Sequence, residues 1–351
     1  VIASIAATGG LLFGFDTGVI SGAIPFLQDY FELTDSQVES VTAPGLIGAV
    51  VGALVTGRLS DYLGRKKVIL GSAFVFATGA LWTGFAPSVT QLMISRFYLG
   101  LAIGVSSFAV PLYISEISPT KIRGTLVSMF QLLITVGILT AYLSDNALAD
   151  NNNLECWRPM LWVGVIPALV LFIGMFFLPE TPRWLMSKGR EEEGEKVLRR
   201  VEDPSLIENS MAAMRQDIAI DASQAGWREI LKPWLRNALI IAVGIMFFQQ
   251  FVGINTVIYY SPKIFLAAGF EGAEAAIAAS VIVGVVNVLF TIIPLFVIDK
   301  LGRRKLYFIG VSGITLALVC MGLGFMLPGA GKWFLVISML VYIAFFAISL
   351  G

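Results

Sequence analysis

The chain has 351 residues, 57% of them hydrophobic and 14% charged, with a mean hydropathy of +0.82; soluble chains carry about 25% charged residues, which argues against a water-filled globule. Lys plus Arg and Asp plus Glu both number 24, a balance that points to neither nucleic acid nor an acidic partner. There is no histidine, so any proton must ride on a carboxylate, and Cys156 and Cys320 suggest neither a disulfide scaffold nor a metal cluster.

Apolar blocks of about 20 residues, the length of helix that crosses the hydrocarbon core, predict an all-α membrane protein. The blocks lie at 1–27, 38–57, 68–86, 91–113, 124–144, 159–179, 237–260, 275–298, 305–328 and 332–351. The first starts at Val1 with neither an initiator Met nor the features of a signal peptide, so the N-terminus is expected to be trimmed. Ser36-Gln37-Val38-Glu39 reads as a capping box opening the second span. Arg58, Arg65, Lys66 and Lys67 follow span 2, Lys121 and Arg123 follow span 4, and Lys300, Arg303, Arg304 and Lys305 follow span 8. The alternate loops have no base at 28–37 and no charge at 87–90. Basic residues gather on the cytoplasmic side, so a cytoplasmic N-terminus is expected, in a bacterial inner membrane or a plasma membrane. Residues 186–235 are dense in charge, with Glu192/Lys196 and Glu195/Arg199 at the i,i+4 spacing of a surface helix. They predict a cytoplasmic helical linker.

Asp61-Tyr62-Leu63-Gly64-Arg65-Lys66-Lys67 recurs as Asp299-Lys300-Leu301-Gly302-Arg303-Arg304-Lys305, an offset of 299 − 61 = 238. Gly14-Phe15-Asp16-Thr17 is echoed by Gly253-Ile254-Asn255-Thr256 at an offset of 239. Both map span n onto span n + 6, which predicts two parallel halves with a substrate site between them near mid-membrane. The expected division is a six-helix bundle over 1–179, a linker over 180–236 and an incomplete bundle over 237–351 with about four of its six helices. The counterpart of Glu116 falls at 116 + 238 = 354, past Gly351, so the C-terminal helices are expected to be truncated.

A charge in the hydrocarbon region costs at least about 2.5–3.5 kcal/mol and is a functional candidate by default. Asp16 in span 1 and Arg96 in span 4 are the two clear cases. They suit either a structural ion pair or a seat for a coupling proton. The amides of Gln131, Gln249, Gln250, Asn255 and Asn287 each offer donor and acceptor, which fits a neutral polyhydroxylated ligand, and Phe13, Tyr259 and Tyr260 could supply aromatic faces. Asp61/Arg65, Glu116/Arg123, Glu180/Arg183 and Asp299/Arg303 repeat one carboxylate-plus-arginine theme and suggest a network closing the cytoplasmic side. No metal set, histidine-based nucleophile or G-x-x-x-x-G-K-[ST] loop marks an enzyme.

These residues resemble the sugar porter family of the major facilitator superfamily. The likeness rests on Gly14-Phe15-Asp16-Thr17-Gly18, Gly57-Arg58 with Asp61 through Lys67, Pro119-x-x-x-Arg123-Gly124, Pro179-Glu180-Thr181-Pro182-Arg183-Trp184, Gln249 through Asn255, and Asp299 through Arg303. It implies a twelve-helix fold working by alternating access on a monosaccharide, hexose or pentose, or a polyol. It places the five amides at sugar-contacting positions, flanked by Phe13 and Tyr259. Asp16 stands where proton-linked bacterial and plant members carry Asp and facilitative mammalian carriers Asn, which favours a symporter; a facilitative uniporter and a non-transporting sugar receptor are the alternatives. The implied partners are a sugar and the bilayer, with no nucleic acid, a monomer as the working unit and no cofactor beyond the proton. Two departures stand out. Ile138 occupies the position of a binding Gln in the bacterial xylose symporter, and the family's Trp beyond a Gly-Pro in span 10 is not in the chain.

Overall fold

The computed structural model describes residues 2–119, 122–224, 233–327 and 331–351, except the side chains of 221–224, 233, 234, 295, 298–300 and 303. Ten helices among them are long and apolar enough to cross a membrane, each overlapping one apolar block of the sequence. In lipid a backbone must satisfy its own polar groups, and a helix does so within one segment.

The first five spans are α1 (Ile2–Tyr30), α2 (Asp35–Leu63), α3 (Arg65–Gly84), α4 (Val89–Ile117) and α5 (Arg123–Leu148). The sixth is divided at Gly164 into α6 (Trp157–Val163) and α7 (Val165–Phe177). Short helices α8 (Pro182–Ser187), α9 (Glu191–Val201) and α10 (Ile207–Gln224) form the linker. There Glu195 pairs with Arg199 at 2.5 Å as its spacing suggests, and Glu191 ties α9 to Arg215 of α10 at 2.6 Å. Then come α11 (Pro233–Phe251), α12 (Ile254–Tyr259), α13 (Ser261–Ala267), α14 (Ala273–Leu301), α15 (Arg303–Met326) and α16 (Lys332–Ser349).

The start of α2 corrects the sequence reading. Its capping box is Thr34 with Gln37, not Ser36 with Glu39: the Thr34 backbone N–H donates to the Gln37 side chain at 2.9 Å. The physical reason is the residue ahead of the cap. In this frame Leu33 precedes the cap and Val38 is the fourth helical residue; both are buried in one apolar cluster, the hydrophobic staple that fixes where a helix begins.

Lipid gives helices no hydrophobic reason to associate, so close backbone approach must supply the contact. α1 lies against α5 and α2 against α4. At Gly14 of α1, a Cβ would sit 1.9 Å from the Ile134 carbonyl oxygen of α5, so no larger residue fits there. α5 also packs on α14, and α1 touches α12 and α13, so these helices join the first six spans to the last four.

The internal repeat has a backbone counterpart. Gly64 between α2 and α3 has φ 97°, ψ 155°, and Gly302 between α14 and α15 has φ 81°, ψ 146°. That region is essentially restricted to glycine, so the repeated sequence encodes the same tight helix-to-helix turn twice. These turns and the linker lie at one end of the bundle, the linker end; the α1–α2 turn, residues 149–156 and residues 268–272 lie at the opposite end. There the two parts are joined. Lys263 pairs with Asp35 at 2.8 Å, and the Asn151 N–H donates to Glu274 at 2.8 Å.

Candidate functional site

α1 and α4 bring Asp16 and Arg96 together. Both terminal nitrogens of Arg96 donate to the Asp16 carboxylate, one of them at 3.1 Å, and the two side chains are 4% and 1% exposed. Gly45 of α2 leaves room for the guanidinium, whose Nε has no hydrogen-bond partner. Neither charge is tolerable in this setting without the other, because an uncompensated buried charge is strongly destabilising. Tyr259 places its hydroxyl beside Thr17 and within electrostatic reach of both partners.

One residue along α1, Thr17 lines a cavity of about 230 Å³ between the two parts of the chain. Its wall brings together Phe13 of α1, Gln131 of α5, Gln249 and Gln250 of α11, Asn255 of α12 and Asn287 of α14. Two aromatic candidates lie away from this wall: Tyr259, beside the ion pair, and Tyr260, whose hydroxyl is 3.4 Å from that of Thr42. The seventh span is broken at Gly253, whose left-handed φ 88°, ψ 20° ends α11 and starts α12. Across that break Asn255 Nδ2 donates to Gln250 Oε1 at 2.8 Å, while Gln249 donates to the Leu350 carbonyl. Discontinuous helices of this kind place polar groups where a transporter binds its cargo. Ile134, Ile138 and Phe346 complete an apolar part of the wall, and no ionisable side chain reaches it among the described residues. Such a lining suits a neutral ligand with apolar and hydroxylated faces. A larger hollow of about 550 Å³ lies at the linker end over Asp61, Arg65, Glu116 and Arg183; its charged lining and surface position set it apart from the mid-depth site.

The linker-end charges form a different network from the sequence pairs. Arg65 does pair with Asp61, at 3.1 Å, but it also grips Glu116 in a two-point fork, Nε to Oε2 and Nη2 to Oε1, each 3.0 Å. Glu116 therefore spends its carboxylate on Arg65 and on the Thr181 hydroxyl at 2.6 Å, and Arg123 is an exposed residue at the first turn of α5. Glu180 accepts the backbone N–H groups of Arg65 at 3.1 Å, Lys66 at 3.2 Å and Thr181 at 2.9 Å, capping the start of α3. Burial pushes the Glu180 carboxyl above its ordinary value, against the pull of those amides. Arg183 lies on the wall of the charged hollow. The side chains of Asp299 and Arg303 lie outside the described residues. The described network belongs to α2, α3, α4 and the start of the linker at α8, with nothing from beyond the linker among the described residues.

One buried charge escaped the sequence reading. Asp145, in the last turn of α5, is fully buried with neither carboxylate oxygen hydrogen-bonded. Its signal was present, since it directly follows the apolar block that ends at residue 144.

Ten apolar helices among the described residues, an amide-lined, uncharged cavity between the two parts of the chain and a buried acid–base pair beside it together define a membrane transporter. Its sequence makes the assignment narrower: the chain belongs to the Sugar (and other) transporter family, whose profile matches residues 2–351. It is a transporter and not an enzyme. It is similar to the galactose-proton symporter of Escherichia coli (strain K12), 42% identical over 353 residues, which cover 99% of this chain and 75% of the relative. The glucose transporter GlcP of Staphylococcus epidermidis is 42% identical over 349 residues, 99% of this chain and 77% of the relative. Among solved structures, the partially occluded inward open conformation of the xylose transporter XylE from E. coli superposes with a TM-score of 0.85 at 31% identity, covering 99% of this chain and 84% of that one. The fold is that of the major facilitator superfamily.

Proposed function

We propose that the protein carries a monosaccharide or related polyol across the cell membrane together with a proton, by alternating access. The N-terminal bundle, 1–179, and the C-terminal bundle, 237–351, rock about the cavity, with the N-terminus and the linker, 180–236, on the cytoplasmic side and the monomer as working unit. Gln131, Gln249, Gln250, Asn255 and Asn287 hold the sugar hydroxyls, with Phe13 and Tyr259 at the edges of the site. The observation that carries this reading is the fork of Arg96 on Asp16 one residue from the cavity-lining Thr17. A proton on Asp16 cancels the charge that Arg96 holds, so proton and sugar act on the same part of α1.

Asp61, Arg65, Glu116, Arg123, Glu180, Arg183, Asp299 and Arg303 serve in this reading as the cytoplasmic gate. A ligand shifts a conformational equilibrium only through its differential affinity for the two states, so the sugar must bind the closing intermediate best. The names of the relatives, a galactose-proton symporter and a glucose transporter, support sugar as cargo and a proton as coupling ion. The second reading, a facilitator in which Asp16 and Arg96 are structural, follows from the same pair if it never opens. Full-length protein in cells or vesicles separates them. Symport alkalinises the external medium when galactose, glucose or xylose is added; sugar entry without alkalinisation contradicts it.

A further inference from the structure

Asp145 is the second buried acid of the described transmembrane region, and the Asp16–Arg96 site does not use it. It lies three residues from the end of α5, so its carboxyl is about one helical turn, roughly 5 Å, from the polar end of the bundle opposite the linker. It is nevertheless completely inaccessible, and both oxygens lack hydrogen-bond partners. Gly22 of α1 is what admits it: a Cβ there would lie 2.3 Å from Asp145 Oδ2.

Among the described residues no cation compensates it. The groups facing it are the Tyr142 hydroxyl from its own helix, the Ser21–Gly22 segment of α1 and the Cys156 thiol from the turn before α6, with Ser261 of α13 beside Tyr142. Arg158, the nearest base along the chain, is committed to the carbonyls of Gly84 at 2.9 Å and Ala86 at 3.3 Å and to Glu155 at 3.7 Å. A carboxylate here would also sit at the negative end of the α5 dipole. An isolated ion taken from water without a partner neutralises instead.

The neighbours of Asp145, though not its carboxyl itself, reach the second part of the chain. Ala141, Cys156 and Ile277 of α14 occupy one buried cluster, and the Tyr142 hydroxyl donates to the Ile258 carbonyl of α12 at 2.9 Å. Opening the bundle at this end would part Tyr142 from Ile258 and bring water to the turn of α5 that carries Asp145.

We propose that Asp145 is a second proton-binding site, filled from the aqueous phase at the end opposite the linker, and that this proton must be bound before the two halves close there. Before closure the proton passes from water to an Asp145 oxygen, and on reopening at that end it returns to the same side. It therefore gates the cycle without adding to the transported charge. This site is distinct from Asp16, and its test is chosen to fail separately.

Spin labels at Thr90→Cys on the N-terminal side and Glu271→Cys on the C-terminal side report closure by their distance distribution. The host is the full-length protein in lipid nanodiscs, with Cys156→Ala and Cys320→Ala. The closed population is expected to grow as pH falls, by up to about tenfold per pH unit for one proton. Asp145→Asn is expected to raise the closed population at high pH and to flatten this slope, whereas Asp29→Asn, at an exposed acid of the same end, keeps it. An unchanged slope in Asp145→Asn overturns the proposal. So does sodium, if at constant pH it closes the wild type and not Asp145→Asn, since the site is then a cation site. Should Asp145→Asn not fold, infrared spectra of the Asp16→Asn protein with carbon-13-labelled aspartate decide. A protonated-acid carbonyl band that appears with closure supports the assignment, and closure without it overturns the assignment.

Discussion

Arg65 and Glu116 face each other between α3 and α4 with two parallel N–H to oxygen contacts of 3.0 Å. The fork joins the first turn of α3 to the last turn of α4, and the Thr181 hydroxyl on the same carboxylate adds the start of α8. Lysine cannot present two coplanar donors. Arg65→Lys and Glu116→Gln are each expected to lower the stability of the purified protein by about 1.5–3 kcal/mol, the range for hydrogen bonds to charged groups. The two losses should be less than additive, because both remove one interaction. A thermal double-mutant cycle measures this, and full additivity contradicts the pairing.

Gly64 is held by conformation and by space. Its φ of 97° disfavours any side chain, and a Cβ would meet Glu180 Oε2 at 2.3 Å. Gly64→Ala is expected to cost at least about 1–3 kcal/mol. Gly71→Ala, in the interior of α3 with nothing within 4 Å of the added carbon, should instead gain about 0.5–1 kcal/mol from helix propensity. Melting temperatures of the two variants should move in opposite directions.

Glu180 gives the linker end a pH dependence of defined sign. Its native value is raised above the ordinary 4.5 by burial, so the folded protein keeps a proton that the unfolded chain has released. Its stabilising contribution is present below 4.5 and is lost as pH rises through the raised native value. Relative to Glu180→Gln, the wild-type melting temperature should therefore fall across that window. A relative rise contradicts the burial-dominated shift.

The amide cavity makes a prediction for binding. Removing one side chain leaves its ligand hydroxyl unpaired, at a cost of about 1–3 kcal/mol, or roughly fivefold to 150-fold in Kd. Asn287→Ala and Gln131→Ala should each weaken binding of the best substrate among galactose, glucose and xylose by that factor in calorimetry on the full-length protein. Unchanged affinity in both variants places the sugar elsewhere.

Helix number and the internal repeat were legible in the sequence because both are local. A block of apolar residues marks a span wherever it packs, and Asp-x-x-Gly-Arg specifies its own turn at Gly64 and Gly302. Asp16 and Arg96 were legible as partners because in hydrocarbon each charge needs an opposite one. Partners set by tertiary distance were not. Glu116 is seven residues from Arg123 in sequence, yet Arg65 reaches it from another helix. Tyr259 follows Asn255 by one helical turn, and the break at Gly253 aims their helix so that Asn255 lines the cavity while Tyr259 meets Thr17. Asp145 was hidden by its position at the edge of a block, where a charge is ordinarily wet; only the packing of α1 and the Cys156 turn over it makes it dry.

The proton's seat is tested most directly by Asp16→Asn in vesicles containing the full-length protein, with one labelled sugar followed in two assays. Sugar accumulation driven by an imposed pH gradient is expected to be abolished, because the amide cannot take up a proton. Exchange of internal for external sugar at equal pH should continue, because the cavity itself is intact. Accumulation that persists at the wild-type level in Asp16→Asn contradicts the assignment of Asp16 as the coupling carboxyl.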